Sequence, residues 1–153
     1  MIINKKFLNK VLQLRNINIL LTGSNIDYFN ELINKDKFNK VETNYIICND
    51  IYYIDIITLN KQILITTLND ICISPNYYSN TVQKKVIILI NLHELKSIYQ
   101  QSIKTIIDNS YLSCVFIIHT NNVESIDRNI LSRFIIFSLP IKPNNDETIQ
   151  ITY

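Results

Sequence analysis

Four short apolar runs punctuate the chain, each bounded by polar residues: Ile17–Thr22, Val86–Leu92, Cys114–Thr120 and Phe134–Leu139. Their hydrophobicity is nearly continuous, without in/out alternation, which is the pattern of strands covered on both faces. Helical spacing fills the gaps between them. Tyr28, Leu32 and Ile33 repeat at helical intervals after Ser24 and Asn25, both good N-cap residues. Ile98, Ile103, Ile106 and Ile107 mark an apolar stripe on a helix predicted from Ser97 to Asn109, and another helix is expected from about Leu59 to Ile71. Strands alternating with helices imply a parallel sheet with helices on both faces.

Residues 40–57 depart from that rhythm. Val41, Thr43, Tyr45 and Ile47 alternate with polar neighbours, Asn49-Asp50 interrupts, and Ile51 to Ile56 resumes. This predicts a β-hairpin near 41–56 leading into another sheet strand. A loop follows around Pro75, Asn76 and Asn80. Beyond Pro140 the tail carries Pro143, Asn144 and Asn145, and Asp146-Glu147-Thr148 read as the first turn of a new helix. The expected division is one α/β core over residues 1–141 and, over 142–153, a tail or the start of a truncated lid helix.

Length and composition fit one globular domain. A chain of 153 residues buries roughly 70% of the surface it would expose unfolded, enough for a core without staples. Net charge is only +2 and the lysines are scattered, so no basic face argues for nucleic acid. Isoleucine and asparagine dominate, alanine is absent and Gly23 is the single glycine, a bias typical of AT-rich codons. Motifs must therefore be judged on spacing and chemically irreplaceable positions. Cys48, Cys72 and Cys114 lie far apart without C-x-x-C spacing and read as small buried hydrophobes of a reducing compartment. No apolar run approaches the length of a membrane span, and no signal-peptide pattern opens the chain, so an intracellular protein is expected.

The first strand ends Leu20-Leu21-Thr22-Gly23 and turns into a helix, where a phosphate-binding loop would sit. A working loop reads G-x-x-x-x-G-K-[ST]: backbone N–H groups cradle phosphates, the lysine neutralises them and the hydroxyl holds Mg²⁺. After Gly23 and Ser24 the second glycine, the lysine and the hydroxyl residue are all missing, and Asp27 adds negative charge. The second strand leads into Ile90-Asn91 where an Asp-Glu pair would hold Mg²⁺ and orient water. His93 and Glu94 follow as loop-surface residues, and His119 reads as a half-buried strand residue.

The stretch from Val86 to Pro140 resembles the corresponding stretch of replication factor C small subunits. Gln100 and Gln101 lie near the family's glutamine, Asn121 at its polar sensor position, and Ser132-Arg133-Phe134 at its Ser-Arg-Cys motif, before a strand ending at Pro140. Leu95 would open the helix carrying the glutamines, and Phe7 to Leu21 resembles, more loosely, the helix and strand before the phosphate loop. The resemblance implies a three-layer, P-loop-NTPase-like (AAA+) core with a mostly parallel five-stranded sheet. It implies a clamp-loader subunit of DNA replication, expected in the nucleus or wherever replication proceeds. Other clamp-loader subunits, a sliding clamp and primer–template DNA would be its partners. Gly23, Ser24, Asn91 and Asn121 would be remnants of an ATP site, so no cofactor of its own is expected and ATP with Mg²⁺ would belong to a neighbour. The family supplies the arginine matched by Arg133, with Ser132 beside it, in trans to the adjoining subunit's ATP. Departures are Phe134 in place of cysteine and the absence of the family's N-terminal arm, lid and collar. The alternative is a reduced structural or interaction domain with no nucleotide role.

Overall fold

The computed structural model describes residues 2–23, 26–74, 83–139 and 148–150. In chain order the elements are β1 (Ile2–Asn4), α1 (Lys5–Leu14), β2 (Ile19–Thr22), α2 (Ile26–Leu32), β3 (Lys40–Val41), β4 (Ile46–Cys48) and β5 (Ile51–Asp55). There follow α3 (Lys61–Ile73), β6 (Lys85–Ile90), α4 (Ser97–Asn109), β7 (Cys114–Thr120), α5 (Arg128–Leu131), β8 (Ile135–Ser138) and β9 (Thr148–Gln150). The main sheet runs β3-β4-β5-β6-β7-β2-β8. From β5 to β8 every pairing is parallel, whereas β3, β4 and β5 pair antiparallel. The five parallel strands expected are β5, β6, β7, β2 and β8, and the hairpin adds β4 and β3 at the β5 edge to make seven.

Alternation along the central strands builds two cores. Ile87 and Leu89 of β6 and Phe116 and Ile118 of β7 face α3 and α4, meeting Leu64, Leu68, Ile103 and Ile107. Val86, Ile88 and Ile90 face the other way, with Leu8 and Val11 of α1 and Phe29 and Leu32 of α2. All six residues of β6 are buried, which is why Val86 to Ile90 read as an unbroken apolar run after Lys85. Each such isoleucine or leucine contributes roughly 1.5–3 kcal/mol by leaving water.

Local chemistry explains several boundaries. Asn49 and Asp50 both have positive φ (49° and 62°), the two-residue turn that matches the right-handed twist of β4 and β5. Asn60 caps α3 by accepting from the Ile63 amide at 2.8 Å. Arg15, buried beneath the sheet's N-terminal edge, donates to the carbonyls of Leu12, Lys84 and Asn49, each at 2.9 Å. It thereby ties α1, the segment entering β6 and the hairpin turn together. Two expectations need correction. Leu95 does not open α4; a 3-10 turn at Leu92–Glu94 precedes it and the helix begins at Ser97. Ile98 is 71% exposed, and buried Gln100 takes a core-facing place that a purely apolar stripe would not assign to it. Ser24, the Pro75–Asn80 loop, Pro140 and the tail to Glu147 lie outside the described residues. Thr148 to Gln150, read as continuing from a helix start, are a strand paired antiparallel with Ile2–Asn4.

Candidate functional site

The single glycine stands where β2 meets β8. Its amide donates to the Thr120 carbonyl at 3.0 Å, and the Leu139 amide donates to Thr22 at 2.6 Å, drawing Leu139 in beside it. A Cβ at position 23 would clash with the Leu139 carbonyl oxygen. The glycine is thus required by a close backbone approach. Gly23→Ala should cost about 2 kcal/mol by forcing these strand ends apart. It should appear as a lower urea midpoint with an unchanged slope; an unmoved midpoint would contradict the contact.

The helix α2 begins only three residues after Gly23, so positions 26 and 27, which a phosphate loop would keep outside the helix, are already helical. Tyr28, Phe29 and Asn30 fall on the places of the second glycine, the lysine and the hydroxyl residue. Tyr28 is buried. Phe29 is fully buried and stacks on His119 of β7, ring centroids 5.1 Å apart and planes 29° apart. Asn30 accepts a hydrogen bond from the Tyr53 hydroxyl at 2.9 Å. From Ile26 to Leu32 the helix carries no cation. These side chains do not fit a triphosphate: the place of the neutralising ammonium is dry, aromatic and filled.

His119 is buried to 3% exposure, not half-buried as its sequence context suggests, and its Nε2 has no hydrogen-bond partner among the described residues. Burial pushes its pKa down to about 4, with the charge of His93 adding to the effect and a hydrogen bond with the Gly23 backbone opposing it. His93 is also not a surface residue. Its side chain is 9% exposed, Nδ1 lies 2.8 Å from the Thr120 hydroxyl, and Nε2 is 3.4 Å from exposed Glu94. Ile90 is buried in the core of the α1/α2 face. Asn91, with φ of 68°, spends its side-chain amide on Asp55 Oδ1 at 2.9 Å. Asn121 is exposed at the end of β7. The sheet's C-terminal edge therefore gathers Gly23, Asn91 and Asn121, but their polar groups are bound to neighbours or point to solvent. Among the described residues no three of His, Cys, Asp and Glu form a set that could hold a metal ion.

Arg133 lies apart from that edge, at the junction between α5 and β8. Its Nε and Nη2 grip both oxygens of Asp108 at 2.5 and 3.0 Å, a fork-on-carboxylate pairing. Nη1 donates to the Asn129 carbonyl and, at 3.2 Å, to the Ser132 hydroxyl. The arginine side chain remains 31% exposed. The hydrogen bond from Arg133 holds the Asp108 carboxyl below the usual carboxylate range, and Asp108 in turn raises the arginine. Gln100 steadies the approach to this junction. It donates to Leu95 and Ser125 carbonyls at 3.0 and 2.8 Å and accepts from the Asp127 amide at 2.8 Å. Asp108 escaped the sequence reading, although one signal was present. It is the only acid in α4 and sits in the last turn, where the helix dipole disfavours negative charge unless a cation covers it.

No family model matches the sequence, and no curated protein matches it. Among solved structures, the fold is similar to that of a DNA polymerase III gamma subunit-related protein from Thermotoga maritima, with a TM-score of 0.60 and 15% sequence identity. The likeness covers 92% of this chain and 47% of that one, so this chain spans about half its length. No helix among the described residues is long and apolar enough to cross a membrane. At this identity the comparison establishes the fold: an α/β domain similar to that of the polymerase III gamma subunit-related protein, with a mostly parallel sheet between two helical layers.

Proposed function

We propose that this chain is a clamp-loader-type domain that has lost its own ATP site and works inside an assembly of related subunits, where Arg133 reaches the nucleotide of a neighbour. The Phe29–His119 stack carries this conclusion: a phosphate-binding ammonium has been exchanged for a phenyl ring packed in the core. The fold's similarity to a polymerase III gamma-related protein and the Ser132-Arg133 placement ahead of β8 support the clamp-loader side. Other clamp-loader subunits are the expected partners, with a sliding clamp and primer–template DNA as what the assembly handles. Calorimetry with ATP and Mg²⁺ should give no saturable heat up to about 1 mM ligand, which corresponds to binding weaker than about 4 kcal/mol. A saturable isotherm in the micromolar range would end the proposal.

One observation favours a second reading. Arg133 spends four of its five N–H groups within its own chain, so it serves as a clamp between α4 and the junction before β8. On that reading the domain is an interaction scaffold without a nucleotide role, and the arginine would matter for stability alone.

A further inference from the structure

At the sheet's N-terminal edge, on the far side from Gly23, a cavity of about 550 Å³ opens between α1, the turn after α2 and the hairpin turn. Lys5, Asn9 and Arg15 line it from α1 and its end, and Asn34, Lys37 and Phe38 from the turn after α2. No carboxylate among the described residues lines it; Glu31 and Asp36 belong to an adjoining cavity that shares Lys5 and Asn34. Arg15 is 8% exposed, and its three bonds to carbonyls occupy three of its five N–H groups. The other two, one on each terminal nitrogen, have no partner among the described residues. Asp50, whose charge reaches Arg15, is buried in the hairpin turn and does not line the cavity. Burial lowers the Arg15 pKa by more than Asp50 raises it, as expected of a cation short of countercharge. Half-buried Lys5 and exposed Lys37 likewise make no side-chain ion pair or hydrogen bond among the described residues. Tying α1 to the hairpin explains three of the arginine's bonds. It does not explain three cations around one hollow without an acid, an arrangement that is costly unless an anion joins it.

We propose that this cavity binds a small phosphate-bearing anion, held by Arg15, Lys5 and Lys37. The guanidinium, already fixed by its three carbonyls, offers its two remaining N–H groups to phosphoryl oxygens with little further loss of freedom. The two lysines add point charges, and the amides of Asn9 and Asn34 can donate to the oxygens left over. Phe38 supplies an apolar wall against which the organic part of a phosphomonoester would rest. The volume falls within the ordinary range of small-molecule sites. Because the cavity is at the opposite end of the strands from Gly23, it does not depend on the ATP reading.

The test uses the whole chain with two probes, inorganic phosphate and ribose 5-phosphate, against sodium chloride at equal ionic strength. At about 20 mM, the better probe should raise the melting temperature by about 4 °C, corresponding to a Kd of about 2 mM. Tighter binding of ribose 5-phosphate would identify a phosphomonoester as the ligand, and equal binding would identify phosphate itself. In NMR titrations the amide signals of Asn34, Lys37 and Asn49 should move first. The double variant Lys5→Gln with Lys37→Gln, which alters side chains without ion pairs, should fold normally and lose the shift. A rise equally large in that variant would assign the effect to general salt exclusion and overturn the proposal. So would signals that move equally around Lys61 and Lys104, or no response to either probe.

Discussion

In an assembled complex, Arg133→Ala should lower ATP hydrolysis by the adjoining subunit about 10³-fold while changing that subunit's ATP affinity only slightly. A guanidinium set at a transferring phosphoryl group stabilises charge that grows only in the transition state, so its loss falls on turnover. Asp108 determines how well the residue is held. It grips Nε and one face of Nη2 from behind, leaving 31% of the side chain open. An arginine ordered before the neighbour arrives loses little further freedom on engagement. Asp108→Asn keeps the shape but weakens the grip, and should cost roughly tenfold in the same turnover assay. Arg133→Lys should not rescue, because an ammonium cannot span both carboxylate oxygens and a phosphoryl group. The measurement is steady-state ATPase of the complex, with thermal unfolding of the isolated chain alongside. Unaltered turnover together with lowered stability would assign Arg133 to the structural role.

Acidification gives the second large effect. Between pH 6.5 and pH 4 the domain should lose about 3 kcal/mol of stability through His119. The unfolded chain takes up a proton on this imidazole near its ordinary pKa of 6.5, whereas the folded chain resists until about 4. The contribution is therefore fully present above pH 6.5 and drains away as pH falls toward 4. Urea unfolding at pH 7, 5.5 and 4.5 measures it. His119→Phe preserves an aromatic partner for Phe29 and should flatten the profile in that window. A wild-type midpoint that holds steady down to pH 4.5 would mean the imidazole is not dry.

Much of the scaffold was legible because its main elements announce themselves locally. β7 spans Cys114–Thr120 and α4 spans Ser97–Asn109, as their apolar run and helical spacing indicate. The Asn49-Asp50 interruption marks the hairpin turn for a similar reason: both residues tolerate positive φ. What stayed hidden depends on juxtapositions distant in sequence. Which strand lies beside β5 is settled only by its pairing with β6, across the whole of α3. Asp108 beneath Arg133 is hidden likewise, as two elements must fold before the pair exists. At the candidate site, the missing lysine was plain from spacing, but not that Phe29 and His119 fill its place. A strand histidine one residue before a polar edge gives no hint of how dry its surroundings are.

That filled place also sets a direction on how such a domain can change over generations. An open cradle could be given a cation by one basic substitution. Here Phe29→Lys alone would press an ammonium against an unsolvated imidazole and leave a void where the ring had been. Placing a phosphate-binding cation here would require several coordinated replacements, each harmful before the others arrive, so packing itself stands against such a change.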